Sequence, residues 1–217
     1  MTELARDFYT RDGLTVAREP IGKTLIHRVN GRELRGIITE TEAYMGVTDK
    51  ASHAYGGRRT KRTETMYLPG GYAYVYLIYG MYCCMNITAS TDGVPEAVLI
   101  RCVMPDGDTQ GILDQVRSVS RRRNLPVTVS GMKPSELYSL TDGPGKLCCA
   151  MGITREQNGA DLLAGEFTVA DDGWYAPEIL ALPRVGIGYA EEAADYPWRF
   201  PVPCQKGVPM LRRISAW

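Results

Sequence analysis

The sequence predicts an α+β fold: a single mixed domain over 1–217, with a curved, largely antiparallel β-sheet and a few packed helices. Three observations carry that expectation. Several strand-like runs, separated by turn signals, stand beside few helical segments, which suggests a largely antiparallel sheet. Asn30-Gly31 stands between two apolar runs and is the dipeptide preferred in tight type I′ hairpins. With 217 residues, 44% hydrophobic and 23% charged, the chain is long enough for a substantial core and short enough for one domain.

Leu4, Ala5 and Phe8 read as an opening helix, and Leu14 to Arg18 as a second one capped by Asp12. Pro20 and Gly22 end that second helix. Leu25 to Val29 and Leu34 to Glu42 are the strands joined at Asn30-Gly31. Residues 43–70 carry turn signals at Gly56-Gly57 and Pro69-Gly70-Gly71, and an irregular stretch of that length suits a binding loop. Ala73 to Ile78 and Cys83 to Thr88 form two strands around Tyr79-Gly80-Met81, followed by a strand from Val98 to Met104. A helix is expected over 106–125, with Ile112, Val116 and Val119 on one face. Leu137 to Ala150 contains the turn Gly143-Pro144-Gly145-Lys146, and Asp161 to Ala170 and Val185 to Tyr189 each read as a loop into a strand. The proline-punctuated tail from Tyr196 is expected to wrap the surface in extended form.

No stretch approaches 18 apolar residues, and Met1 to Thr10 has two acids and no apolar core, so neither a membrane span nor a signal peptide is expected. A cytoplasmic, nucleoid-associated protein fits this. Cys83-Cys84 and Cys148-Cys149 are adjacent pairs whose side chains point apart on a strand, so buried thiols are expected over disulfides. With two histidines and no CxxC pair, no metal site and no cofactor are expected. Net charge is zero but unevenly placed: residues 1–155 hold 20 Lys/Arg against 16 Asp/Glu, and the remainder 5 against 9. Windows 50–62 and 115–133 contain only basic charges, which gives a neutral chain one face suited to a polyanion.

Glu42 is the residue richest in chemical content. It ends a β-branched run, and Glu40 lies on its face of the strand, with Thr39 and Thr41 pointing together on the other. Two acids close together raise each other's pKa, one way to hold a general base ready; exposed salt-bridging carboxylates would show the same spacing. Arg101 sits inside an apolar strand and needs a carboxylate, with Glu42 the obvious candidate, either as a structural pair or around a water. Tyr72, Tyr74 and Tyr76 share one side of their strand, and packing against a helix suffices for the first two. Tyr79, at a turn, is placed to fill a gap in a base stack. Asn86 could read a base edge or satisfy a core hydrogen bond. Gly145 and Lys146 lack the spacing of a nucleotide phosphate loop but could meet a DNA phosphate. One carboxylate, flat rings and nearby cations make a kit for chemistry on a nucleobase. A carbohydrate hydrolase would need an opposed second carboxylate, which Glu40 does not supply, and a mere binding module has no use for an acid beside phosphate.

Glu40-Thr41-Glu42-Ala43-Tyr44, Ser52-His53-Ala54, Gly57-Arg58-Arg59-Thr60 with Arg62, and Tyr74 to Met81 with Asn86 resemble the alkyladenine (3-methyladenine) DNA glycosylase family, in its bacterial type. Val98 to Arg101, Gly143 to Leu147 and Pro183 to Ile187 continue the likeness in order, from about residue 8 to 212. The resemblance implies a monofunctional, metal-free, monomeric enzyme acting on double-stranded DNA that contains damaged purines. It assigns Glu42 as the base that activates water, with Arg101 and a backbone carbonyl near Val185 positioning that water. It places Tyr44 and His53 on one face of a flipped base and Tyr76 on the other, with Tyr79 entering the minor groove and Asn86 lining the pocket. Arg58, Arg59, Arg62, Gly145 and Lys146 then face the DNA backbone. Two departures are Pro20, where an aliphatic residue is usual, and Tyr67, where phenylalanine is usual.

Overall fold

The structure is a computed structural model that describes residues 1–119 and 124–214. Arg121, Arg122 and Arg123, part of the second basic window, lie outside the described residues. The chain runs β1 (Thr2–Glu3), α1 (Arg6–Tyr9), α2 (Gly13–Arg18), β2 (Thr24–Val29) and β3 (Arg32–Tyr44). An irregular stretch with short 3-10 turns leads to β4 (Ala73–Ile78), β5 (Tyr82–Ala89) and β6 (Glu96–Gly107). Then come α3 (Thr109–Val119), α4 (Pro134–Tyr138), α5 (Pro144–Ala150), β7 (Phe167–Asp171) and β8 (Trp174–Tyr175). The last elements are β9 (Arg199–Pro201), β10 (Cys204–Gln205), β11 (Val208–Pro209) and β12 (Arg212–Arg213).

The main sheet has the order β1-β7-β2-β3-β6-β5-β4, with β9 added beside β3, and its pairs are antiparallel. This is the mixed α+β architecture expected from the sequence. Asn30 (φ 51°) and Gly31 (φ 72°) make the β2–β3 turn, both left-handed as a type I′ hairpin requires. Asp12 caps α2 by accepting from the Thr15 amide at 3.0 Å.

One face of the sheet carries the core. Leu25, Ile38, Ile87, Val98 and Ile100 pack with Leu113, Leu147 and Met151 from the helical side. Each such side chain contributes about 1.5–3 kcal/mol of burial free energy. The alternation along β4 sends Ala73 and Val75 into this core, while Tyr74 and Tyr76 join a smaller cluster with Ala54, Met66, Tyr67 and Ala97. That second cluster walls the candidate site. Tyr72 does pack on a helix, under the Arg6 guanidinium of α1 at 4.7 Å, and Tyr74 packs with Met66 and Tyr67 of the short 3-10 helix Glu64–Tyr67.

Several boundaries differ from expectation. Thr2–Glu3 pair with β7, so the first helix begins only at Arg6. The helix expected over 106–125 begins at Thr109, because β6 runs on to Gly107 and Asp108 then accepts the Gly111 amide at 2.8 Å; positions 124–125 are not helical. Val185 to Tyr189 forms no strand, since Gly186 at φ 76° turns the backbone out of extended geometry. The tail is extended, yet it does more than wrap the surface: Phe200 is buried in the core and β9 pairs with Glu40, Thr41 and Glu42.

Candidate active site

The site is built around an irregularity in the β3–β6 ladder. Ile38 pairs with Val103, Glu40 with Cys102, and Thr41 with Ile100, so Thr39 is extra on β3 and Arg101 is extra on β6. Two offsetting bulges of this kind leave the overall register intact while re-aiming the residues between them. The result is that Arg101 reaches both carboxylates, with Nε donating to Glu40 Oε1 at 2.9 Å and Nη1 lying 3.2 Å from Glu42 Oε1. Glu40 and Glu42 do share a side, but Thr39 and Thr41 part company. Thr39 Oγ1 lies 3.2 Å from the Tyr138 hydroxyl of α4, whereas Thr41 donates to the Ala17 carbonyl of α2.

Glu42 is fully buried. Its Oε1 accepts the Val185 amide N–H at 2.9 Å, and its Oε2 accepts the Tyr44 hydroxyl at 2.9 Å. A carboxylate has about four acceptor positions. The Val185 amide and the Arg101 guanidinium lie against Oε1 and the Tyr44 hydroxyl against Oε2, which leaves one acceptor position on Oε2 unused. Burial pushes the Glu42 carboxyl above its ordinary pKa; Arg101, the Val185 amide and the Tyr44 hydroxyl oppose this, and Glu40 adds to the rise. The Tyr44 hydroxyl is itself pushed well up by burial and by Glu42, so it stays a donor.

Beside the acid lies a cavity of about 50 Å³, walled by Tyr44, His53, Tyr74, Tyr76 and Asn86 with Tyr189 at the rim. His53 Nδ1 is 2.9 Å from the Tyr74 hydroxyl, and its ring meets Tyr76 edge-on with centroids 4.6 Å apart. Burial, with Arg62 and Arg58 nearby, pushes the His53 pKa down to about 4. The Asn86 amide donates to the Tyr74 carbonyl at 3.1 Å, which fixes its orientation in the wall. A flat ring stacked between two others needs about 7 Å between their planes, twice the carbon contact distance. As it stands the cavity is closed to a purine, and the His53 and Tyr76 rings must separate to admit one.

Tyr79 is 88% exposed, at φ 50° on the tip of the β4–β5 hairpin. A left-handed tyrosine costs roughly 1–2 kcal/mol, strain of the kind that collects at functional positions. A groove of about 880 Å³ runs from this tip past Met81 and Tyr82 to Gly145 and Lys146, apart from the carboxylates. Gly143-Pro144-Gly145-Lys146 is the first turn of α5 rather than a free loop. A Cβ on Gly145 would lie 3.2 Å from Tyr82, and Lys146 is paired with Asp142 at 2.5 Å. Arg58, Arg59 and Arg62 are all exposed. Arg59 is held by Glu64 at 2.6 Å and lies over Tyr67, while Arg62 lies over the Tyr76 ring at 5.1 Å. The Tyr67 hydroxyl donates to the Arg58 carbonyl at 3.2 Å, so the departure at that position ties down the basic segment.

Arg184 escaped the sequence reading, because an arginine in an irregular loop has no periodic signal. It forms a fully buried pair with Asp49, with contacts of 2.5 and 2.8 Å, and donates to the Ala43 and Ala193 carbonyls. Its guanidinium lies between the Tyr44 and Trp198 rings, 4.8 and 5.0 Å from their centroids. A buried ion pair is tolerable only with its hydrogen bonds made. Here both terminal nitrogens are bonded while the buried Nε has no partner among the described residues, and the bonds made fix Arg184 and Ala43, the chain neighbours of Val185 and Tyr44, the two donors to Glu42. The group that Val185 presents to the carboxylate is its N–H rather than its carbonyl. His27, the other histidine, is buried against the Met151 carbonyl on the far side of the core. Among the described residues no group of three His, Cys, Asp or Glu is placed to hold a metal ion, and no helix is long and apolar enough to cross a membrane.

A buried acid beside an aromatic cavity, with a protruding ring among exposed cations, is an arrangement suited to chemistry on a base carried by a polyanion. The comparisons agree and go further. The model of the family described as methylpurine-DNA glycosylase matches residues 7–206, and the chain belongs to that family. It is similar over nearly its whole length to bacterial proteins named "Putative 3-methyladenine DNA glycosylase". The protein of Clostridium acetobutylicum is 48% identical over 97% of this chain and 99% of the relative. That of Desulfitobacterium hafniense is 43% identical over 92% and 95%, and that of Alkaliphilus oremlandii 46% over 91% and 94%. Membership makes DNA glycosylase action in base excision repair, a hydrolase activity on DNA, the class of this protein.

Proposed function

We propose that the protein hydrolyses the N-glycosidic bond of flipped alkylated purines, 3-methyladenine first, with 7-methylguanine, hypoxanthine and ethenoadenine as further candidates, leaving an abasic site. The observation that carries this reading is Glu42, fully buried yet left with one acceptor position beside the aromatic cavity. Extruding the nucleotide costs a few kcal/mol, least where a lesion has already weakened pairing. Tyr79 fills the vacated space, and the base enters between Tyr44 and His53 on one side and Tyr76 on the other. Alkylation at a purine ring nitrogen leaves the base cationic, which suits stacking on aromatic faces and makes it a better leaving group. His53, with its pKa near 4, is neutral at pH 7 and does not repel such a base.

The C1′–N bond breaks with its electron pair going to the base, so a cationic base departs neutral. Water adds to C1′ and its proton passes to Glu42, whose carboxylate also stabilises the positive charge developing on the sugar. Arg101 and the backbone at Val185 hold the carboxylate and the water. Asn86 lines the cavity where a guanine amino group would collide. Arg58, Arg59, Arg62, Gly145 and Lys146 face the DNA backbone, and the chain acts as a monomer without a cofactor. Base release from alkylated and hypoxanthine-containing duplex DNA, in EDTA, tests the reading. Wild-type release is expected to fall at least about 100-fold in Glu42→Gln with DNA binding retained. Binding by both proteins with release by neither would sink the enzyme reading.

A further inference from the structure

Glu40 is the most heavily bonded side chain near the site that the chemistry above leaves without a task. Its Oε1 accepts Arg101 Nε at 2.9 Å and Arg199 Nη1 at 3.1 Å, and its Oε2 accepts the Cys102 thiol at 3.2 Å. Arg199, from β9, also donates through Nε to the Pro183 carbonyl at 2.8 Å. Two residues on, the Val185 amide returns to Glu42. The contacts close a ring: Glu42, Arg101, Glu40, Arg199, the Pro183–Val185 backbone, and Glu42 again. Within it the hydrogen bond from Arg101 to Glu40 is shorter than the approach to Glu42.

We propose that Glu40 is a positioning residue for base excision: it anchors Arg101 and Arg199 around Glu42 and shares the charge of Arg101, so that Glu42 keeps its basicity. The proposal rests on the reading of Glu42 as general base. One guanidinium cannot fully neutralise two carboxylates. If Arg101 faced Glu42 alone, it would hold that carboxylate ionised but poor at taking a proton, because proton transfer is fastest when the base is matched to the operating pH. The charged and titratable groups around Glu40 are Glu42 on its own strand, Arg101 and Cys102 from β6, Arg199 from β9, and Cys204 beyond it. Tyr138 of α4 approaches through Thr39 and Cys102. Burial and Glu40 push the Cys102 thiol far up, so in the working range it is a neutral donor. Glu40 also raises the Glu42 pKa, in the sense the argument requires.

The test is the pH profile of single-turnover base release from duplex DNA treated with dimethyl sulfate, alongside the titration of the Glu42 carboxyl by carbon NMR in DNA-free protein. In Glu40→Gln, the Glu42 midpoint and the acid limb of the profile should both fall by about one pH unit, and the maximal rate by about tenfold. Arg199→Gln removes a cation instead, so it should move both midpoints upward; a merely structural residue would move neither. The Arg199 variant also decides the matter if Glu40→Gln does not fold. Folded variants with unchanged Glu42 midpoints would overturn the proposal. Because the NMR titration needs no turnover, it separates the two failures. Release that depends on Glu42 but ignores Glu40 sinks the positioning role alone, whereas shifted midpoints without release by the wild type sink the excision reading and the positioning role with it.

Discussion

His53 shows how burial sets a residue's charge at the candidate site. Its ring sits among Tyr74, Tyr76 and the nearby cations Arg58 and Arg62, and its pKa is pushed down to about 4 from the ordinary 6.5. The folded state therefore resists protonation that the unfolded chain accepts. The stability that His53 supplies is fully present above pH 6.5 and is lost as pH falls from there through about 4. Urea unfolding from pH 7.5 down to 4 should lose a visible part of its acid slope in His53→Gln, and an imidazole titrating near 6.5 in the folded protein would contradict the account. Glu42 has the opposite sign. Its raised folded pKa favours the fold at low pH, and that contribution is lost as pH rises through the folded value. The identity of these residues was legible in the sequence. The Tyr44–Glu42 and His53–Tyr74 bonds were not, since each joins atoms whose meeting depends on side-chain direction.

At the scale of elements, β3 and β6 carry the site, and their approach is tight beside Gly36. An ideal Cβ there would overlap Val103 Cγ2 and lie 2.7 Å from its Cβ. Gly36→Ala should lower stability by about 1–3 kcal/mol through overpacking, measured by urea unfolding. A wild-type midpoint would show that the strands have room to separate. Strand existence was readable from β-branched alternation and the Asn30-Gly31 turn. The paired bulges at Thr39 and Arg101 were not, because alternation assumes an unbroken ladder, and only the partner strand reveals an extra residue. The same limit hid the part played by β9, a three-residue strand too short for a pattern of its own.

Across the whole molecule, zero net charge conceals a usable basic face, and the ion pairs show which cations are available. Arg59 is engaged by Glu64 and Lys146 by Asp142, whereas Arg58 has no ion pair among the described residues. Each phosphate contact contributes about 0.9 to the slope of log affinity against log salt. Arg58→Ala should flatten that slope by about one, and Arg59→Ala by clearly less, because Arg59 must leave Glu64 to reach a phosphate. Fluorescence anisotropy with a duplex over roughly 50–200 mM salt reads both. Equal changes would mean that the Glu64 pair does not restrain Arg59 in solution.

The strand-rich class, the β2–β3 hairpin, the identity of the candidate acid and the likeness to the family could be read from the sequence alone, because these depend on residue type and short-range spacing; the burial of Glu42 could not. Which groups hold Glu42 was set by the three-dimensional packing of the chain. Glu40, Arg101, Arg184, Val185 and Arg199 come from four separated stretches of chain and meet through bulges, a buried ion pair and an irregular loop. A charge buried in a low-dielectric interior takes its properties from whatever partners the fold delivers, and local sequence does not encode those partners.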